Sequence, residues 1–303
     1  MPLQSPVLFL IFNRPDKTKQ VFEAIRHAQP AKLFVAADGP RKERYGEQEL
    51  CEKTREIINA IDWKCELKTL YRSENLGCKI AVSSAINWFF ENVEEGIILE
   101  DDCLPNQSFF HFCERMLSEY KDDQRIMHIG GSNFQDGLTR GDTSYYFSGM
   151  FHIWGWATWK RAWKHYDIEM SGLNTLLNKE FFDAIFNKRS HQEIWKRMFN
   201  AVETGKSNTW DYQWTLSCWL NNGLSIIPNT NLVSNIGYDG EATHTSINEK
   251  DILANKKIEA LEGIITPKHM IRNYSADCYT MNKYFIKNKK NDMVLNLINR
   301  LNK

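Results

Sequence analysis

The first 120 residues alternate short apolar runs with segments whose apolar residues recur at helical spacing, a pattern few folds accommodate. Residues 7–12, 32–37, 66–71 and the Ile97-Ile98-Leu99 run read as strands. Between them lie helical stripes: Val21, Phe22, Ile25 and Ala28 behind Asn13-Arg14-Pro15-Asp16; then Leu50, Ile57, Ile58 and Ile61 within 47–61; then Val82, Ala85, Ile86, Phe89 and Phe90. A fourth stripe, opened by Pro105, carries Phe109, Phe112, Cys113, Met116 and Tyr120. Four strand-to-helix alternations predict βαβ units and an α/β, Rossmann-like fold, its mostly parallel sheet flanked by helices. Right-handed crossovers bring the ends of the first, second and fourth strands to one edge. Arg14, Asp38 and the acids after Leu99 should therefore face a common cleft. No Gly-x-Gly-x-x-Gly follows the first strand, which disfavours a dinucleotide cofactor.

Composition narrows the classes of partner. The 303 residues hold 38 Lys plus Arg against 38 Asp plus Glu, and a neutral chain is a poor match for nucleic acid. Seven cysteines, odd in number and never spaced Cys-x-x-Cys, disfavour a disulfide framework or zinc site and predict a reducing, cytoplasmic setting. The 7–12 run is too short for a signal-peptide core or a membrane span.

The chemistry concentrates in Gly96-Ile-Ile-Leu-Glu-Asp-Asp-Cys103. A doubly buried strand ends directly in Glu100, Asp101 and Asp102, three mutually repelling acids beside a core. A divalent cation with oxygen ligands would offset them; a solvated acidic turn is the other reading. After residue 120 the pattern loosens. Strands are expected at 125–129, 144–150, 224–227 and 231–235, and helices at 193–202 and 212–221. Residues 151–164 hold four tryptophans, of which Trp159 and Trp163 are spaced to share a helix face. The Trp set could be a sugar-stacking platform or core packing. Asp211 follows Trp210 where a helix N-cap would sit, and His244 lies in a polar loop over 237–248. Met293, Val294, Leu297, Ile298 and Leu301 predict a helix over 283–303 behind a Lys-rich run. That tail could dock on an anionic membrane surface, or pack on its own domain or a second subunit.

The order strand–Asn-Arg-Pro, strand–Asp-Gly, Arg-Ser-Glu-Asn-Leu-Gly before a helix, strand–Glu-Asp-Asp, Gly-Trp, and Trp-Asp before a helix resembles GT-A fold glycosyltransferases. Within them it is most similar to the N-acetylglucosaminyltransferase that begins complex N-glycans and to bacterial sugar transferases with the same Glu-Asp-Asp. The likeness runs over about residues 6–245. It implies a nucleotide-diphosphate sugar donor, usually a UDP sugar, with Mn²⁺ or Mg²⁺ bridging the diphosphate. Carried over by position, Asp102 binds the metal, Asp101 touches the ribose or a metal-bound water, and Glu100 faces the donor sugar. Asp38 meets the nucleotide base and Arg14 sits near the nucleotide. Arg72 and Lys79 approach the diphosphate, while Trp156, in the Gly-Trp segment, lines the sugars. Asp211 is implied as the general base that deprotonates the acceptor hydroxyl. Many such enzymes also bring a C-terminal histidine to the metal, which makes His244 a candidate second ligand. This sequence has Trp-Asp-Tyr where the N-acetylglucosaminyltransferase carries a second acid.

The organisation expected is a GT-A domain over 1–245, with a nucleotide-binding half at 1–120 and an acceptor-binding half at 121–245, and a C-terminal helical extension over 246–303. The function expected is metal-dependent, inverting transfer of a sugar to a hydroxyl of a glycan or lipid-linked glycan, in bacterial surface polysaccharide synthesis. The protein would be cytoplasmic, with candidate contact at the inner membrane face through its tail. A sugar nucleotidyltransferase and a non-catalytic carbohydrate-binding protein are the alternatives. The first would want a Gly-rich, Lys- or Arg-bearing loop after the first strand, where Asn13-Arg14-Pro15 stands. The second needs no Glu-Asp-Asp on a parallel strand.

Overall fold

A computed structural model describes residues 2–171, 173, 179–237 and 255–286. The opening alternation forms as expected: β1 (Val7–Ile11), α1 (Pro15–Ala28), β2 (Lys32–Ala37), α2 (Glu47–Glu56), β3 (Glu66–Tyr71), α3 (Gly77–Asn92) and β4 (Glu95–Glu100). These four strands are parallel and lie in the order β3-β2-β1-β4. Side chains along β1, β2 and β4 alternate between two cores. Val7, Phe9, Ile11, Val35, Ile97 and Leu99 pack with α1 and α4 (Gln107–Glu119) on one face. Leu8, Leu10, Phe34 and Ile98 pack with α3 on the other. Burial on both faces explains why β1, β2 and β4 read as unbroken apolar runs, whereas the edge strand β3 is largely exposed.

Beyond α4 the sheet becomes mixed. Strands β6 (Ile126–Gly130), β7 (Tyr145–Ser148), β8 (Trp156–Trp159) and β9 (Leu224–Pro228) extend it to eight strands, β3-β2-β1-β4-β8-β6-β9-β7. The inserted β8 runs antiparallel to both β4 and β6. It was not expected from the sequence: Trp159 ends this strand, and only Trp163 lies in the short helix α5 (Lys160–Trp163). The two tryptophans therefore do not share a helix face. Trp159 belongs to the α1/α4 core, where its indole N–H donates to the Leu117 carbonyl at 3.2 Å, and Trp163 packs in the opposite core.

Pro105 likewise does not open a helix. It closes the short strand β5 (Cys103–Pro105), which pairs antiparallel with β10 (Val233–Asn235), and Asn106 caps α4 by accepting from the Ser108 N–H at 2.9 Å. This small ribbon pins the residues after the acidic run against those before Gly237. Helix α2 is shorter than the 47–61 expected, since 3₁₀ geometry takes over at Ile57–Ala60. Leu50 faces outward, with Cys51, Thr54 and Ile58 buried instead.

Helices α6 (Lys179–Ile185), α7 (Arg189–Glu203) and α8 (Asp211–Leu220) cover the α3 side of the second half. The chain from 255 then returns to the outer strand β7. Ser144 N–H donates to the Ile265 carbonyl and Asn273 N–H to the Phe147 carbonyl, at 2.9 and 2.7 Å. Helix α9 (Tyr274–Thr280), followed by a π turn over Met281–Ile286, presents the buried Asp277. Asp277 accepts from Ser148 Oγ, the Gly149 N–H and Arg272 Nε at 2.5, 3.0 and 2.7 Å. Among the described residues no helix is long and apolar enough to cross a membrane. His244 and most of the expected 283–303 helix lie outside the described residues.

Candidate active site

The carboxyl ends of β1, β2 and β4 open into one cleft of about 1840 Å³, whose far wall is built by α7, α8 and the C-terminal segment. Arg14, Asp38, Arg72, Glu100, Asp101, Asp102 and Asp211 all line it. The topology alone accounts for this meeting, because parallel strands joined by crossovers put every βα loop on the same edge.

Each acid is held differently. Asp102 is the most heavily engaged: Oδ2 accepts from Arg14 Nη1 at 2.8 Å, and Oδ1 lies 3.4 Å from Asn235 Nδ2 on β10. Gly237 presses against the same carboxylate, so a β-carbon there would fall 2.2 Å from Asp102 Oδ2. Only a residue without a side chain passes that point. Asp101 is buried and accepts from the Phe12 N–H at 3.1 Å, tying the β4 end to the β1 end. Burial, then the charge of Asp102, raises its pKa against the pull of Arg14 and the Phe12 N–H. Glu100 is partly buried, and its enclosed Oε1 has no hydrogen-bond partner among the described residues. Burial and the charges of Asp102, Asp101 and Asp211 push its pKa well up, with Arg14 opposing them.

The charges of Asp101, Asp102 and Asp211 thus all bear on Glu100, and Arg14 offsets them in part. The Cys78 thiol at the start of α3 reports the same field. Burial, then Glu100, Asp211, Asp38 and Asp102, push its pKa up to about 12. Hard oxygen donors in uncompensated excess, including one orphaned buried oxygen, fit a divalent cation. Among the described residues, no group of three or more His, Cys, Asp or Glu side chains is placed to hold a metal ion by itself. An ion here would take few protein ligands and complete its shell from a bound molecule.

Asp38 does not point its carboxylate simply into the cleft. Its oxygens accept from the N–H groups of Gly39, Leu76 and Gly77 at 2.9–3.1 Å, closing the loop before α3 onto the end of β2. Burial raises its pKa while these N–H groups oppose the shift. Arg72, on the same loop, donates to Ser84 Oγ at 2.8 Å. Lys79 lies outside the cleft lining, and its backbone N–H donates to Asn208 Oδ1 at 3.2 Å. It is therefore not one of the groups brought together at the sheet edge.

Asp211 is the first residue of α8, and Trp210 holds the cap position. The expectation of an N-cap is thus displaced by one residue. The carboxylate sits in the first helical turn, where the backbone dipole favours a negative charge, and Oδ1 accepts from Thr209 Oγ1.

Trp156 has no exposed surface to offer a sugar. It stands on β8 in the middle of the core, stacked between His128 at 5.3 Å and Trp210 at 5.5 Å. The indole next to Asp211 is thereby seated on a column of rings. Aromatics that do line the cleft include Phe134, Trp154, Trp195, Tyr212 and Tyr284 toward the α7 and C-terminal side, and Phe12 and Tyr45 toward the β1 and β2 side. Sequence reasoning also missed Glu47, which is buried and receives hydrogen bonds from Asn13 Nδ2 (2.9 Å) and the Arg41 N–H (2.7 Å). It missed Asn235 and Gly237 against Asp102 as well. Nothing in the local sequence marks them, since each role arises from chain segments that meet only in the fold.

No protein-family model matches the chain, and no curated protein matches it. Among solved structures it is similar to HddC from Yersinia pseudotuberculosis, at 9% identity and a TM-score of 0.31, over 52% of this chain and 78% of that one. It is also similar to residues 1–349 of S. aureus TarS, at 11% identity and a TM-score of 0.38 over 76% of this chain. That match spans 59% of the TarS chain, less than two thirds of its length. Likeness at this level assigns neither protein's role to this chain.

Proposed function

We propose that this protein transfers a glycosyl group from a nucleoside-diphosphate sugar to an acceptor hydroxyl, with inversion at the anomeric carbon. One observation carries the reading. Glu100, Asp101 and Asp102 stand at the carboxyl edge of a parallel sheet, and Asp211 lines the same cleft from α8, together with Arg14, Asp38 and Arg72. A divalent ion, Mn²⁺ or Mg²⁺, would be held chiefly by Asp102 and would neutralise charge on the diphosphate leaving group. Arg14, already on Asp102, adds a guanidinium to that charge balance, and Arg72 offers a second on the opposite loop.

In the reaction the acceptor oxygen attacks the anomeric carbon as its bond to the diphosphate oxygen breaks. The nucleoside diphosphate departs with the bonding pair, and the acceptor proton passes to the Asp211 carboxylate. The helix dipole and the Thr209 hydroxyl hold that carboxylate in place, and the Trp210–Trp156 stack fixes the backbone that carries it. Glu100 faces the position of the donor sugar, where it can accept from a sugar hydroxyl. The donor would be a UDP sugar and the acceptor a glycan or lipid-linked glycan of a bacterial surface polysaccharide.

The test is a panel of nucleoside-diphosphate sugars incubated with the protein, with Mn²⁺, Mg²⁺ or EDTA, reading released nucleoside diphosphate. Metal-stimulated release from one donor that disappears in Asp211→Asn supports the reading. Release of pyrophosphate from a nucleoside triphosphate and a sugar phosphate, or no metal-dependent nucleotide binding at all, would sink it.

A further inference from the structure

The wall of the cleft nearest β2 ends in a feature the proposed reaction does not use. Tyr45 is fully exposed, more so than any other large hydrophobic side chain of the described residues, yet it lines the cleft together with Asp38, Arg44 and Leu50. Leu50 is itself 40% exposed, although it occupies a position that helical spacing would bury.

The loop carrying Tyr45 is built to hold its tip still. The Arg44 N–H donates to the Arg41 carbonyl and the Glu47 N–H to the Arg44 carbonyl, at 3.1 and 3.2 Å, making two successive turns. Gly46, at φ 79°, supplies the left-handed residue after Tyr45 that the second turn needs. The loop's base is fastened by Glu47, only 4% exposed, which accepts from the Arg41 backbone and guanidinium and from Asn13 on the loop before Arg14. The Arg41 guanidinium in turn lies 5.5 Å over the Phe12 ring. The Tyr45 tip and the Arg14 loop therefore form one braced unit. An aromatic ring held in water on such a unit leaves its apolar face unsatisfied while its backbone is already ordered, so stacking there costs little further entropy.

We propose that Tyr45 is the stacking platform for the nucleobase of the donor. This rests on the nucleoside-diphosphate reading above and deepens it. A diphosphate held by Arg14 and by a cation on the acids, at the ends of β1 and β4, leaves the nucleoside to extend toward β2, where Asp38, Leu50 and Tyr45 line the cleft. A ring face accepts any base, so Tyr45 supplies affinity and the polar groups near Asp38 supply choice among bases.

Calorimetry tests this with UDP, GDP, CDP, ADP and dTDP in the presence of Mn²⁺, taking the nucleotide that binds best, and with inorganic pyrophosphate as the ligand that has no base. Tyr45→Ala should weaken the nucleotide about tenfold and leave pyrophosphate affinity unchanged, and Tyr45→Trp should bind as tightly as wild type or tighter. Because the side chain is exposed, its loss should not move the melting temperature. Undiminished nucleotide affinity in Tyr45→Ala, or an equal loss for pyrophosphate, overturns the stacking role while leaving the glycosyl-transfer reading intact. Failure of the wild-type protein to bind any of the five nucleotides overturns both.

Discussion

Arg14 Nη1 lies 2.8 Å from Asp102 Oδ2, and this ion pair joins the loop after the first strand to the tip of the fourth. Both side chains are mostly buried, at 22% and 15% exposed, so the pair is shielded from bulk water more than a surface bridge would be. A cation arriving at Asp102 competes with Arg14 for the same oxygen, and a diphosphate arriving with it gives Arg14 a new partner. The two events should therefore be coupled. Asp102→Ala should abolish metal-enhanced nucleotide binding, whereas Arg14→Ala should weaken nucleotide binding by about ten- to a hundredfold, the worth of one charge-assisted contact. Titration of the nucleotide with and without Mn²⁺ measures both. Unchanged affinity in Asp102→Ala would remove Asp102 from the site.

Gly237 offers a finer probe of the same carboxylate. A methyl group placed there meets Asp102 Oδ2 at 2.2 Å and Arg14 Nη1 at 3.0 Å. Gly237→Ala must displace one of them, so Mn²⁺-dependent nucleotide affinity should fall while the melting temperature stays close to wild type. An equal loss of affinity with and without Mn²⁺ would place the disturbance elsewhere.

Asp211 is predicted to act on the chemical step alone. Asp211→Asn keeps the shape and the contact with Thr209 but cannot take a proton, so kcat should fall by about 10²–10⁴ with donor KM nearly unchanged. A matching rise in KM with kcat preserved would make Asp211 a donor-binding residue instead.

Much of this site could be read before the fold was seen, and the gaps have physical causes. Strand β2 begins and ends where its apolar run does, because a doubly buried parallel strand has no competing pattern. Arg14, Asp38 and the acids meet because topology, not side-chain detail, puts them on one edge. Trp156 went wrong for the opposite reason: an aromatic beside a glycine looks the same whether it faces a ligand or a core, and only the antiparallel insertion of β8 decides. Lys79 lies outside the cleft lining because the first turn of α3 presents Gly77 and Cys78 to it instead. Leu50 shows that a helical stripe can predict burial at a position the fold leaves in water.

The buried role of Trp156 makes a stability prediction. It has no exposed surface and stacks on His128, Trp210 and, less squarely, Trp214 at 5.8 Å. Trp156→Ala should destabilise the protein by about 3–5 kcal/mol in urea unfolding. Trp156→Phe should cost less, and because the ring beneath Trp210 would be smaller, kcat should fall more than donor affinity. If Trp156→Phe instead lost donor binding with stability intact, the indole would have to reach the ligand.

His128, at the other end of that stack, sets a pH dependence whose sign can be worked out. Its ring is fully buried, with Nδ1 2.7 Å from Ser225 Oγ and no partner at Nε2 among the described residues. Burial, then the nearby His152, pushes its pKa well below 6.5. Burial lowers His152 as well, to about 3. Below pH 6.5 the unfolded chain takes up protons that these folded rings refuse, so each contributes stability that is complete above that pH and lost as pH falls. The slope approaches about 1.4 kcal/mol per pH unit for each ring. Glu100 and Asp101 act in the opposite sense, because their raised pKa values let the folded state bind protons first. Total stability therefore masks the histidine contribution, and the difference between wild type and His128→Gln isolates it. Urea unfolding between pH 7.5 and 5 should show the two proteins' stabilities converging as pH falls, by about one ring's share. Parallel curves across that range would mean that His128 titrates in the native protein as it does in water.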